Sequence, residues 1–108
     1  MTATLKEEFR EAMIAIYTRT FSACGYRAGR FLELVNTHGG LETAKILLRE
    51  EEPRGGFIAL HEQGRLDVTM EAVIVENQKW HPLFTQEEIG IAENRLSDFG
   101  YKPRSKKE

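Results

Sequence analysis

Cysteine and histidine, which most often carry nucleophilic or metal chemistry, are few and scattered in this 108-residue sequence. Cys24 is the single cysteine, and a reactive thiolate needs a helix N-terminus or a neighbouring base. It precedes Gly25 at the predicted end of a helix, where the helix dipole disfavours a negative charge. His38, His61 and His81 lack the close spacing to another His or Cys that a metal-binding motif requires. The sequence therefore predicts no catalytic, cofactor-binding or metal-ligating residue.

Two runs of carboxylates and two glycine pairs have structural explanations. Glu50-Glu51-Glu52 ends a predicted helix. Glu87-Glu88 lies in the first turn of another, where the helix dipole favours negative charge. Acid–base catalysis needs two carboxylates in different environments, and nothing in these runs indicates such a difference. Gly39-Gly40 and Gly55-Gly56 lack the following Lys-Ser/Thr of a phosphate-binding loop. Both pairs are typical of turns.

The candidates for phosphate contacts are basic side chains. Arg19, Arg27 and Arg30 are close in sequence, and Arg27 and Arg30 share a helical face because they are three residues apart. Residues 102–108 add a basic segment of net charge +3, which leaves −5 on residues 1–101. The alternative is a solvated helix face, since nucleic-acid binding usually requires a larger contiguous basic surface.

Apolar side chains suggest two places for a protein interface. Phe9, Met13 and Ile16 step along the first helix at four and three residues, and this stripe predicts a dimer seam. Trp80 lies in a predicted loop, where a large aromatic either seals the core or anchors a partner. We expect a homodimer, because short helices in a small domain cannot cover every apolar face.

Composition indicates one globular domain, since 41% of the residues are apolar and 30% are charged. The formal net charge of −2 favours neither an acidic nor a nucleic-acid partner. A lone thiol fits a reducing compartment, and no run approaches the roughly 20 apolar residues of a membrane span. We therefore expect a cytoplasmic protein with one helical domain over residues 1–101 and a flexible basic tail over 102–108.

Hydrophobic periodicity and capping signals predict an all-α fold of about five to six helices, the first and last being the longest. Gly29, inside the second helix, predicts that another backbone comes close there. Leu66–Val75 is ambiguous: its apolar residues alternate as in a strand, whereas Thr69 as an N-cap favours a helix. The predicted helices are Thr4–Cys24, Tyr26–Asn36, Leu41–Glu50, Phe57–Gln63, Thr69–Asn77 and Thr85–Phe99, with a loop over Gln78–Phe84.

A spaced pattern runs through the second half of the chain: GGLETAKILL at 39–48, GRLD at 64–67, MEA at 70–72 and LFTQEEI at 83–89. It resembles a group of small bacterial helical proteins of uncharacterised activity. In that group the module occurs in short chains and at the ends of longer ones, including in mobile genetic elements. The resemblance implies no activity or catalytic residue. Two interpretations apply to Arg65 and Asp67, which are polar residues of this pattern: they pair with other helices as part of the structure, or they mark a functional surface.

Three hypotheses for function follow. The first is a non-enzymatic helical protein-interaction module, homodimeric, whose partner is itself or another protein. The alternative is a small nucleic-acid-associated protein that uses Arg19, Arg27, Arg30 and the basic tail. A weaker third is an enzyme whose site forms only in the folded chain or at a dimer interface.

Overall fold

Residues 4–51 and 55–102 are described by the structure, a computed structural model, and the regular secondary structure among them is all helical, with no strand. The fold-class prediction is confirmed, and the first and last α-helices are the longest. The radius of gyration of 13.0 Å is that of a compact domain of this length. The α-helices are α1 (Leu5–Cys24), α2 (Gly29–His38), α3 (Gly40–Arg49), α4 (Gly56–Glu62), α5 (Met70–Glu76) and α6 (Gln86–Asp98), with 3-10 helices at Leu66–Val68 and Gln78–Leu83.

Both long helices begin at the capping boxes that the sequence predicts. The Thr4 hydroxyl accepts the Glu7 amide at 3.1 Å, and the Glu7 carboxylate accepts the Thr4 amide at 3.0 Å. Thr85 and Glu88 repeat the arrangement at 3.0 and 2.9 Å. Each box satisfies two amides that a helix N-terminus otherwise leaves without a partner. These short-range signals explain why both boundaries could be read from the sequence.

The ambiguous stretch around Thr69 is helical. Leu66–Val68 forms a 3-10 turn, and the Thr69 hydroxyl donates to the Leu66 carbonyl at 2.7 Å while accepting the Ala72 amide at 3.1 Å. One buried side chain thus joins the 3-10 turn to α5. The prediction of a helix over a strand is confirmed, although the alternating apolar residues remain buried as a strand's would be.

Two boundaries differ from expectation. The second helix begins at Gly29 rather than Tyr26, because residues after Gly25 run in non-helical backbone and Ala28 supplies no side-chain cap. Gln78–Leu83, expected as a loop, is a 3-10 helix whose start is capped by the Asn77 side chain. Tyr26 lies in the first of these segments and Trp80 in the second.

The core is centred on α1. Phe9 and Met13 are completely buried, Ile16 is 5% exposed and Trp80 is 6% exposed. The Phe9 ring meets Trp80 and Phe84 edge to face, with centroids 5.2 and 5.5 Å apart. The stripe expected to form a dimer seam is used inside one chain, and Trp80 takes the core position rather than an exposed anchor position. These four side chains are not available on the surface of this conformation.

A close helix crossing explains one glycine. The Cβ of any residue larger than glycine at position 40 would lie 2.7 Å from the Arg10 Cα, so α1 and α3 touch through their backbones there. The sequence suggested Gly29 for such an approach, but nothing lies within 4 Å of a Cβ built at Gly29. Gly29 is the first residue of α2, whereas Gly40 begins α3 against α1. The prediction named the wrong glycine.

We expect Gly40→Ala to destabilise the chain by about 1–3 kcal/mol, because α1 and α3 must separate to admit the methyl group. Gly29→Ala is the matched control, since its helical site is open and alanine reduces the entropy of the unfolded chain; it should change stability by no more than about 1 kcal/mol. Urea unfolding of both variants measures this. Equal stability of the two variants would contradict the crossing.

Candidate functional site

A cleft of about 840 Å³ opens among the C-terminal half of α1, the start of α2, and α4. We call it the α1–α2–α4 cleft. Its walls are mainly apolar and aromatic, and charged side chains lie at its floor and on part of its rim. Its lining includes the aromatic residues Tyr17, Tyr26, Phe31 and Phe57 and the charged residues Glu71 and Arg95.

The floor of the cleft contains a buried ion pair. Arg95 of α6 and Glu71 of α5 have side chains only 8% and 6% exposed, and Nη1 of Arg95 donates to Oε2 of Glu71 at 2.8 Å. The same guanidinium donates to the carbonyls of Leu47 at 3.3 Å and Glu50 at 2.6 Å. Carbonyls at a helix C-terminus lack partners within the helix. Arg95 therefore caps α3 from another helix while it neutralises a carboxylate.

Burial governs the ionisation of Glu71. Loss of solvent raises the pKa of Glu71 above its ordinary value of 4.5, although the hydrogen bond and the charge of Arg95 act in the opposite direction. Desolvation of the carboxylate is thus only partly compensated by its partner. The pair fixes three helices at the base of the cleft, with a carboxyl group that binds a proton more readily than an exposed glutamate.

Two exposed aromatic side chains, which we call the aromatic lip, lie at or next to the cleft: Tyr26, 37% exposed, is a lining residue, and Phe21, 46% exposed, follows the lining residue Thr20 in α1. Phe21 lies one turn beyond Tyr17 on the same face of α1, and Tyr26 itself lines the cleft. The hydroxyl of Tyr26 rests against the backbone of Gly55, 2.6 Å from where a Cβ would be, and Gly55 has a positive φ of 54°. The lip is the place where large apolar side chains remain exposed in the described part of the chain.

The three arginines suggested for phosphate contacts do not form one surface. All are exposed, but Arg30 is paired with Glu50 at 2.9 Å. The Arg27 guanidinium lies over the Phe21 ring, 5.6 Å from its centroid. Arg19 is two residues from Phe21 on the same helix and therefore points about 160° away from it. Lys102 is exposed, and the rest of the basic tail lies outside the described residues.

Arg65 and Asp67 pair with each other. Nε of Arg65 donates to Oδ1 of Asp67 at 3.0 Å, and Nη2 donates to Oδ2 at 3.2 Å. The hydrogen bond and charge of Asp67 raise the pKa of Arg65. Both side chains are solvent-exposed and neither lines the cleft. The pair bridges the turn before α5, and this contact gives both residues a structural role.

Cysteine and histidine stay apart in the fold. Cys24 donates its thiol hydrogen to the Thr20 carbonyl at 3.3 Å, His81 contacts the Ile74 carbonyl at 3.0 Å, and the His61 ring packs edge to face on Phe99. Within residues 4–51 and 55–102, no group of His, Cys, Asp and Glu could hold a metal ion. No helix in the same ranges is long and apolar enough to cross a membrane.

Sequence reasoning missed the residues that shape the site, namely Arg95, Phe21 and Tyr26. A signal existed for Arg95, because it follows Ala92 by three residues and so lies on the same face of α6 as that apolar residue. A cation on a buried face needs a partner, and that rule pointed to a buried carboxylate. The partner itself was hidden, since Glu71 lies 24 residues away on another helix.

Comparison with known proteins adds no relative. No protein-family model, curated protein or solved structure matches this chain.

Removing Arg95 should be costly. We expect Arg95→Met to destabilise the chain by about 3–5 kcal/mol, because the variant leaves a buried carboxyl without its cation and removes the side-chain donor to the Glu50 carbonyl at the end of α3. Glu71→Gln also removes the counter-charge of Arg95, but it should cost less, because the amide oxygen can still accept from the guanidinium and Arg95 keeps its bonds to the Leu47 and Glu50 carbonyls. Chemical unfolding at neutral pH compares the two. A larger loss for Glu71→Gln would contradict the capping role of Arg95.

Stability should also depend on pH through Glu71. Its pKa is higher in the folded than in the unfolded chain, so its contribution is complete below about pH 4.5 and declines as pH rises through the raised folded value. The stability of wild type relative to Glu71→Gln should therefore be greatest in acid and fall with rising pH. The difference is measured by unfolding both chains at a series of pH values from 4 upward, spaced by about one pH unit. A difference that grows with pH would contradict the sign.

Proposed function

We propose that this chain is a helical protein-interaction module that binds a segment of another protein in the α1–α2–α4 cleft. The observation that carries the proposal is the combination of a cleft of about 840 Å³ with an exposed aromatic lip. Pockets of roughly 300–1,000 Å³ with apolar walls and a few fixed polar groups are the usual form of a binding site. The walls, floor and volume of this cleft agree with that description.

The aromatic lip favours a protein over a small molecule as occupant. Phe21 and Tyr26 extend the apolar surface beyond the cleft, so a small molecule in the cleft would leave part of that surface in water. Aromatic residues and arginine are enriched at the centres of protein interfaces. Arg27 stacked on Phe21 adds an arginine to the lip. A short apolar segment of a partner can cover the cleft and the lip together.

The polar side chains of the cleft support binding more than catalysis. Thr20 and Thr69 donate their hydroxyl hydrogens to backbone carbonyls, Arg30 pairs with Glu50, and the floor pair is mutually satisfied. Groups already engaged in structural bonds hold the walls in place. The described lining includes no His, Cys or Lys, the residue types most often used as general bases or nucleophiles.

A different protein suits the cleft better than a second copy of the chain. The stripe predicted to form a dimer seam is buried within one chain, so its side chains are not exposed to a second copy in this conformation. A module that resembles one found at the ends of longer bacterial proteins, as this sequence suggests, fits a role in docking a partner. The nucleic-acid alternative has less support, because Arg19, Arg27 and Arg30 do not share one surface.

Selection from a phage-displayed library of random peptides, about a dozen residues long, tests the proposal. Peptides enriched on the wild-type chain should bind the Phe21→Ala/Tyr26→Ala double variant about tenfold or more weakly, as expected when two interface anchors are truncated. Both side chains are exposed enough for the fold to persist, which circular dichroism checks. Gln86→Ala, an exposed change at the opposite end of α6 from Arg95, is the control.

Three results would overturn this proposal. One is a library that yields no peptide whose binding depends on the lip. Another is binding that survives the double variant unchanged, which would place the interface elsewhere. The third is a wild-type dimer in light scattering that the double variant abolishes, since this would make a second copy the occupant.

A further inference from the structure

We infer that the segment bound in the cleft carries an acidic side chain beside its apolar anchor, and that this carboxylate pairs with Arg27. The inference rests on the proposed function and specifies the chemistry of the partner. Charge near the lip, the geometry of Arg27 and the placement of the other charges around the cleft support it in turn.

The stretch that builds the lip is positive within an acidic chain. Residues 12–32 contain three arginines and no Asp or Glu, a net charge of +3 in a chain whose formal total is −2. The other residues therefore carry −5 together. Of these arginines, all in the described part of the chain, only Arg27 lies free at the lip, since Arg19 points away from it and Arg30 is held in an ion pair. A partner that approaches the lip meets the charge of Arg27, and an acidic side chain beside it is favoured in encounter and orientation.

Arg27 provides an exposed cation beside the apolar lip. Its guanidinium lies over the Phe21 ring, 5.6 Å from the ring centroid, and no ion pair joins it to any residue that the structure describes. The planar guanidinium of an arginine can donate two parallel hydrogen bonds to one carboxylate. A carboxylate that arrives beside the apolar anchor can therefore pair with Arg27.

The neighbouring charges set where the acid can lie. Arg30 already has Glu50 as a partner, and exposed Glu51 lies at the α3 side of the cleft. An acidic group near Glu51 would be repelled, whereas one near Arg27 would be attracted. We therefore expect acidic residues on one side of the anchor only. A phosphate backbone is a poorer match, because it carries charge at regular intervals along its length.

Parallel selections with three chains test the inference: wild type, Arg27→Glu and Arg19→Glu. Arg19 is the matched control, since it is an exposed arginine on the opposite flank of α1. Wild type and Arg19→Glu should enrich Asp or Glu on one side of an apolar anchor, and Arg27→Glu should enrich Lys or Arg there. A synthetic peptide from the wild-type pool and its Glu-to-Lys counterpart should differ about two- to fivefold in affinity at low salt, the range of an exposed ion pair. The difference should shrink as salt is added.

The outcomes separate this inference from the proposed function. Lip-dependent peptides with no acidic preference, or with the same preference on Arg27→Glu, would overturn the inference and leave the interaction module standing. An absence of lip-dependent peptides would overturn the proposed function itself. A single-stranded oligonucleotide that binds wild type tightly and loses affinity in Arg27→Glu but not in Arg19→Glu would replace the acidic peptide as the ligand.

Discussion

The buried pair between Arg95 and Glu71 is the interaction on which the rest of this structure depends. A guanidinium removed from water requires a counter-charge and several acceptors, and here they come from different helices. Glu71 on α5 supplies the charge, while the Leu47 and Glu50 carbonyls supply acceptors at the end of α3. Three helices therefore meet at one side chain. The guanidinium thus joins the end of α3 to α5 and α6 through one buried group.

Glu50 connects that junction to the surface. Its carbonyl accepts from Arg95 at the floor of the cleft, and its carboxylate pairs with Arg30 on α2 at the rim. The cleft is thus bounded on one side by a residue whose backbone and side chain are both engaged. On the other side, α1 divides its surface by length: Phe9 and Met13 fill the core, whereas Tyr17 and Phe21 extend to the cleft and its lip. One long helix supplies both the stability of the fold and part of the candidate site.

Structural features that depend on residues close together in the chain can be predicted from the sequence. The capping boxes at Thr4 and Thr85 involve residues three apart, so their pattern is visible without knowledge of the fold. Gly40 and Arg95 are different, because a backbone crossing with α1 and a partner on α5 decide their roles. The cleft forms between segments that are distant in sequence, and no local pattern marks it. The stripe of Phe9, Met13 and Ile16 was recognised as apolar, but an apolar stripe packs equally well inside the chain or between copies.

The contact between Tyr26 and Gly55 has a consequence for how this surface can diversify. The Tyr26 hydroxyl contacts the backbone of Gly55, whose positive φ suits glycine. The position of the main chain at residue 55 therefore limits where the ring can lie. A side chain at residue 55 would both strain the turn and displace the ring. Residue 26 faces no such restriction, since a different side chain there alters only the shape of the opening. The shape of the opening can therefore be varied by exchanging the side chain at position 26, while position 55 is held to glycine by the turn and by its contact with the ring.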